Sequence, residues 1–165
     1  MKTRRATGEQ GSAMVEFAIV LPLLAMLIFG GLSASIAYNY KLDVTHAARE
    51  GARYGAAVPE LQCSPTANCG GKNWAQLVRT VVATRSNGAV TEAQVCVALV
   101  SGSSGTPVGP SFTTQVGGTA CFNDGNGDAG KRVQVSANRT GEKINAVIFS
   151  MPVTLESKAT ARFEE

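Results

Sequence analysis

The first residue placed for chemistry is a carboxylate at the lip of an oily run. Glu16 directly precedes Phe17–Ala37, which is apolar apart from Ser33 and Ser35. A carboxylate in mid-bilayer costs about 2.5–3.5 kcal/mol on insertion scales and less near the interface, so Glu16 is either solvated at headgroup depth or has a partner. One turn further on, Pro22 removes a backbone donor and crowds the preceding turn, which predicts a kink or a looser helix.

Four cysteines come next: Cys63, Cys69, Cys96 and Cys121, all after the apolar run. An even number on the oxidising side of a membrane reads as two disulfides, and four cysteines allow three connectivities. The favoured pairing is Cys63 with Cys69, closing a small loop, and Cys96 with Cys121, tying a strand to a later loop; each bridge contributes about 2–4 kcal/mol. Zinc is a poor competitor, because no CxxC pair exists and the only histidine, His46, lies near the apolar helix. A weak calcium candidate is the run Asp124-Gly125-Asn126-Gly127-Asp128, with oxygen ligands Asp124, Asn126 and Asp128 at alternate positions. It lacks the expected glycine at Ala129 and the bidentate glutamate at Val135, and an Asn-Gly turn explains it equally well. Asp43, His46, Arg49, Glu50 and Arg53 have no nucleophile or further ligand nearby and read as a solvated helix face with i,i+4 pairing.

These residues need a scaffold. As a helix, the 21 positions from Phe17 to Ala37 reach roughly 31 Å, the thickness of a hydrocarbon core, so they are expected to span a membrane once. Lys2, Arg4 and Arg5 before the span keep the N-terminus in the cytoplasm and put the C-terminal remainder outside. Tyr38 and Tyr40 mark the outer interface. Beyond it Leu42, Thr45, Ala48 or Arg49, and Ala52 recur at helical spacing, so the helix is expected to continue to about Ala56, with Gly51 and Gly55 weakening its end. Asn73 caps a second helix with the stripe Trp74, Leu77, Val78 and Val81, stopped by Ser86-Asn87-Gly88. Strands follow at Ala93–Val100, Arg132–Asn138 and Val153–Phe163, with a short one at Phe112–Val116 and an ambiguous apolar run at Ile144–Met151. The fold class is α+β: a transmembrane helix continuing into an amphipathic helix packed on a small antiparallel sheet.

Three stretches carry a resemblance. Gly11, followed by Ser12-Ala13-Met14-Val15-Glu16-Phe17 and Ala18-Ile19-Val20-Leu21-Pro22, resembles the processing and assembly signal of TadE-like pseudopilins of tight-adherence (Flp-type) pili. Ala47-Ala48-Arg49-Glu50-Gly51-Ala52-Arg53-Tyr54 is similar to the post-membrane signature of that family, and Pro152–Glu165 to its closing strand. The resemblance implies a pilin-like layout and a cut by a prepilin peptidase between Gly11 and Ser12. Residues 1–11 are then a leader, 12–56 the long helix and 57–165 a disulfide-stabilised extracytoplasmic domain. Glu16 becomes the fifth residue of the mature chain, paired with the new amine of an adjoining subunit, with Phe17 and Pro22 beside it in the assembly segment. Small side chains at Gly11-Ser12-Ala13 suit a protease that holds its substrate extended. Removing Lys2, Arg4 and Arg5 loosens the membrane anchor. The implied partners are the prepilin peptidase, other pseudopilins and the major pilin, the inner-membrane secretion platform and the lipid bilayer.

Other classes fit less of the sequence. The formal net charge of +3 is spread among acidic residues, which gives no nucleic-acid footprint. No phosphate-binding glycine loop or paired carboxylates argue for an enzyme or a cofactor. A membrane-anchored scaffold outside any filament accounts only for the span and the cysteines. A secreted adhesive module, released by signal peptidase at Ser35-Ile36-Ala37, leaves Glu16 and Pro22 without a purpose.

Overall fold

The computed structural model describes residues 9–58, 71–100, 130–146 and 149–163. Their order is helix α1 (Glu9–Ala57), helix α2 (Trp74–Arg85), a 3-10 turn (Glu92–Gln94), then strands β1 (Val95–Val100), β2 (Arg132–Ala146) and β3 (Phe149–Arg162). The strands form one antiparallel sheet in the order β1-β2-β3, with Val95 opposite Ala137 and Val100 opposite Arg132. The protein is α+β, led by a long apolar helix. Two compact units divide it: Met1–Ala37 with Lys143–Pro152, and Tyr38–Glu142 with Val153–Glu165.

The second unit holds the core. Val44, Ala47, Ala48 and Ala52 of α1, Trp74, Val78 and Val82 of α2, Val95, Val97 and Leu99 of β1, and Val133 and Val135 of β2 make one buried cluster. The buried face of α1 is therefore Val44-Ala47-Ala48-Gly51-Ala52-Gly55, and Leu42, expected in the stripe, is 39% exposed. Periodicity located the helix but rotated its face, because the wall is built from small residues, which weigh little in a hydrophobic pattern. A Cβ on Gly51 would stand 2.2 Å from Val82 Cγ2, and one on Gly55 would meet Val133, Val78 and Trp74 at 3.0–3.2 Å. Those glycines let α1 lie against α2 and β2, where the sequence alone read them only as helix weakeners.

Helix α2 begins and ends as its sequence directs. The Asn73 side chain accepts from Gln76 N at 2.8 Å while Gln76 Oε1 accepts from Asn73 N at 3.0 Å, a reciprocal capping box. At the other end, Asn87 and Gly88 take φ of 52° and 81°, the left-handed turn in which Asn and Gly are favoured. Trp74 fills the core and donates its indole N–H to the carbonyls of Gly55 at 3.1 Å and Val58 at 3.2 Å, satisfying groups at the C-terminal end of α1.

Strand β1 is buried along its whole length, so Cys96 is enclosed at 3% exposure. The ambiguous run Ile144–Met151 contains the end of β2 and the start of β3. β3 keeps the expected alternation, with Leu155 and Ser157 buried and Val153, Ala159, Ala161 and Phe163 half-buried.

Candidate functional site

The stretch that could act on a membrane or a neighbouring subunit is the first part of α1. No residue of its most apolar 18-residue window is buried. Phe17 is 64% exposed, Ile19 64%, Leu27 75% and Phe29 55%. So much apolar surface is stable only in lipid or against other chains. The helix as a whole is 49 residues, roughly 73 Å at 1.5 Å per residue, long enough to cross a bilayer and continue beyond it.

Gly11, Ser12, Glu16, Phe17 and Pro22 all lie in this helix and all are exposed. Ser12 and Glu16 are four residues apart, hence on one face, one turn from each other. Gly11 and Ser12 are helical, not extended, so a protease acting there must first unwind the opening turns of α1. Glycine at position 11, with nothing within 4 Å of a Cβ there, lowers the cost of that unwinding. Pro22 is inside the helix, and its missing N–H leaves the carbonyl of Ala18 without its usual helical donor.

In the second unit, Ala47-Ala48-Arg49-Glu50-Gly51-Ala52-Arg53-Tyr54 divides its labour by face. Ala47, Ala48, Gly51 and Ala52 pack inward, while Arg49, Glu50 and Arg53 are exposed. Glu50 pairs with Arg85 of α2 at 3.3 Å, in place of the expected partner along its own helix. His46, Arg49 and Arg53, with Tyr54, Arg162 and Phe163, line an open groove. With Glu50 among them, these groups make a groove of mixed charge and aromatic character.

Two further clusters hold the second unit together and were not legible in the sequence. Arg79, 9% exposed, donates Nε to the Glu92 carbonyl at 2.8 Å, with Nη2 on the same oxygen. Burial pushes its pKa down, and the nearby Glu92 charge works against that shift. The Glu92 carboxyl is held below its usual range, first by the Thr80 hydroxyl, which donates to it at 2.8 Å, then by Lys72 and Arg79. Arg139 lies 4.1 Å over the Tyr40 ring, pairs with Glu142 and donates to the Ala89 carbonyl.

Cys96 is not free, while Cys63, Cys69 and Cys121 lie outside the described residues. So do Asp124, Asn126 and Asp128, and with them the calcium loop; among the described residues no group of acidic, His or Cys side chains could hold a metal.

Fold and exposed segment together define an α+β protein led by one helix long and apolar enough to span a membrane. Within that class, residues 11–53 match the family model of TadE-like proteins, a segment that begins at Gly11, contains Glu16 and Pro22, and ends within the Ala47–Tyr54 signature. No curated protein and no solved structure matches the chain.

Proposed function

We propose that the protein is a pseudopilin, or minor pilin, that takes part in the assembly, priming or tip of a tight-adherence (Flp-type) pilus. One observation carries the reading: the TadE-like match runs from Gly11 into the Ala47–Tyr54 signature, and coincides with a helix whose apolar first part is unburied and whose last part packs one face, Val44 to Ala52, into the core. Such a helix suits a subunit that lies in the bilayer before assembly and against neighbouring helices afterwards. On this reading the chain crosses the cytoplasmic membrane once, basic leader inside, and the domain is extracytoplasmic. A prepilin peptidase cuts between Gly11 and Ser12, and Glu16 pairs with the amine of the adjoining subunit. A buried pair of that kind fixes register more than it adds stability. The substantial α+β domain fits a subunit used in few copies better than a repeating one. Its role is structural and not enzymatic, with contacts to other pseudopilins, the major pilin and the secretion platform. Disulfides Cys63–Cys69 and Cys96–Cys121 would brace the domain.

The experiment is the mature N-terminus, sequenced from the native host with and without its prepilin peptidase. A start at Ser12 that depends on the peptidase supports the proposal. A start at Met1 in both strains, or at Tyr38, refutes it.

A further inference from the structure

The first compact unit contains a second apolar surface. Lys143–Pro152, the end of β2 and the start of β3, belongs with the membrane-type part of α1. Ser33 Oγ donates to the Asn145 carbonyl at 2.9 Å. Phe149 and Met151 are 54% and 58% exposed, and no charged residue occurs from Ile144 to Met151. The sequence turns charged again only outside that run, at Glu142-Lys143 and at Glu156.

Ser33 stands four residues inside the end of the apolar run at Ala37, about 6 Å along the helix axis. A strand carbonyl bonded to it sits at the same depth. That falls within the roughly 5–10 Å to which interfacial apolar surfaces enter the boundary between headgroups and acyl chains. Backbone groups at such depth need internal partners, and the Ser33 hydroxyl supplies one to Asn145. In water, by contrast, Phe149 and Met151 side by side on exposed strand would gain nothing.

We propose that the end of β2 and the start of β3, Phe149 and Met151 foremost, dip into the outer face of the lipid bilayer beside the span, with Ser33 as the positioning residue. The inference rests on the membrane anchoring proposed above. The partner is the lipid itself: an uncharged apolar insertion does not depend on anionic headgroups. Phe149 and Met151 then give the subunit a second point of membrane contact, the tip contact, which must be withdrawn when the helix leaves the bilayer.

The test uses the full chain in phosphatidylcholine vesicles whose acyl chains are brominated near the headgroup. Phe149→Trp adds a reporter, and the emission of Trp74 is subtracted using the unsubstituted protein. The added emission is expected to be blue-shifted and to be lost in the brominated vesicles, and Ser33→Ala should reduce that loss. Phe29→Trp, within the span, reports the anchoring separately. Quenching at position 29 without quenching at 149 overturns the tip contact alone, including the case in which another copy of the chain covers it. No quenching at either position overturns the anchoring and the tip contact together.

Discussion

Gly51→Ala is the substitution whose effect depends most sharply on tertiary packing. In an isolated helix the change stabilises by about 1 kcal/mol, because alanine loses less backbone freedom than glycine. Here the added carbon would stand 2.2 Å from Val82 Cγ2, more than an ångström closer than an ordinary contact. Val82 is fully buried in the cluster that holds Trp74, Val78 and Val95, so it has no free space into which to move. Overpacking of that kind costs about 1–3 kcal/mol. The two effects leave a net loss of roughly 0–2 kcal/mol, too wide a range to decide by itself. The decisive quantity is the coupling to Val82. In a Val82→Ala background the clashing methyl is gone, and Gly51→Ala should become stabilising. Urea unfolding of the full chain in detergent, followed by Trp74 fluorescence, measures both backgrounds and yields the cycle. Gly31→Ala is the control, since nothing lies within 4 Å of its Cβ position. A Gly51→Ala effect that is equally favourable in both backgrounds would refute close packing between α1 and α2.

The remaining tests are quicker. Asn73→Ala removes one half of a capping box and should cost about 1 kcal/mol, read as a lower urea midpoint with an unchanged slope. Because the folded state holds the Glu92 carboxyl below its ordinary pKa, its contribution is complete above the ordinary value and disappears as pH falls through the depressed one. Glu92→Gln should therefore lower stability near neutrality and make it less sensitive to acid; equal acid sensitivity in the two proteins would argue against that pairing. Glu16→Ala should insert into membranes normally yet be impaired in incorporation into pili, scored by surface shearing, and normal incorporation would remove the role given to the carboxylate.

Much of the architecture was written in local patterns. The oily run after Glu16 has the length that a spanning helix needs, and the absence of proline from Lys41 to Arg53 carried the helix to within a residue of its end at Ala57. Asn73 and Ser86-Asn87-Gly88 bounded α2 because caps and left-handed turns are made by the residues themselves. Glu16 and Pro22 stood out for the same reason: a charge and a proline in an oily helix are anomalies visible in the sequence, whereas Gly11 was marked by the resemblance.

What the sequence could not settle were matters of which side chain meets which. The alternative readings of Gly51 and Gly55, as weak points or as contact points, differ only in whether Val82, Val78 and Trp74 stand opposite, and no local pattern contains that. A signal was present in the spacing of Ala47, Ala48, Gly51, Ala52 and Gly55, but small residues score near neutral on a hydrophobic scale. The enclosure of Cys96, the Arg79–Glu92 bond and the meeting of Ser33 with Asn145, 112 positions apart in the chain, are likewise products of the fold. Local chemistry determined the elements and the residues that break their rules; the close approach of distant segments decided the faces by which those elements meet.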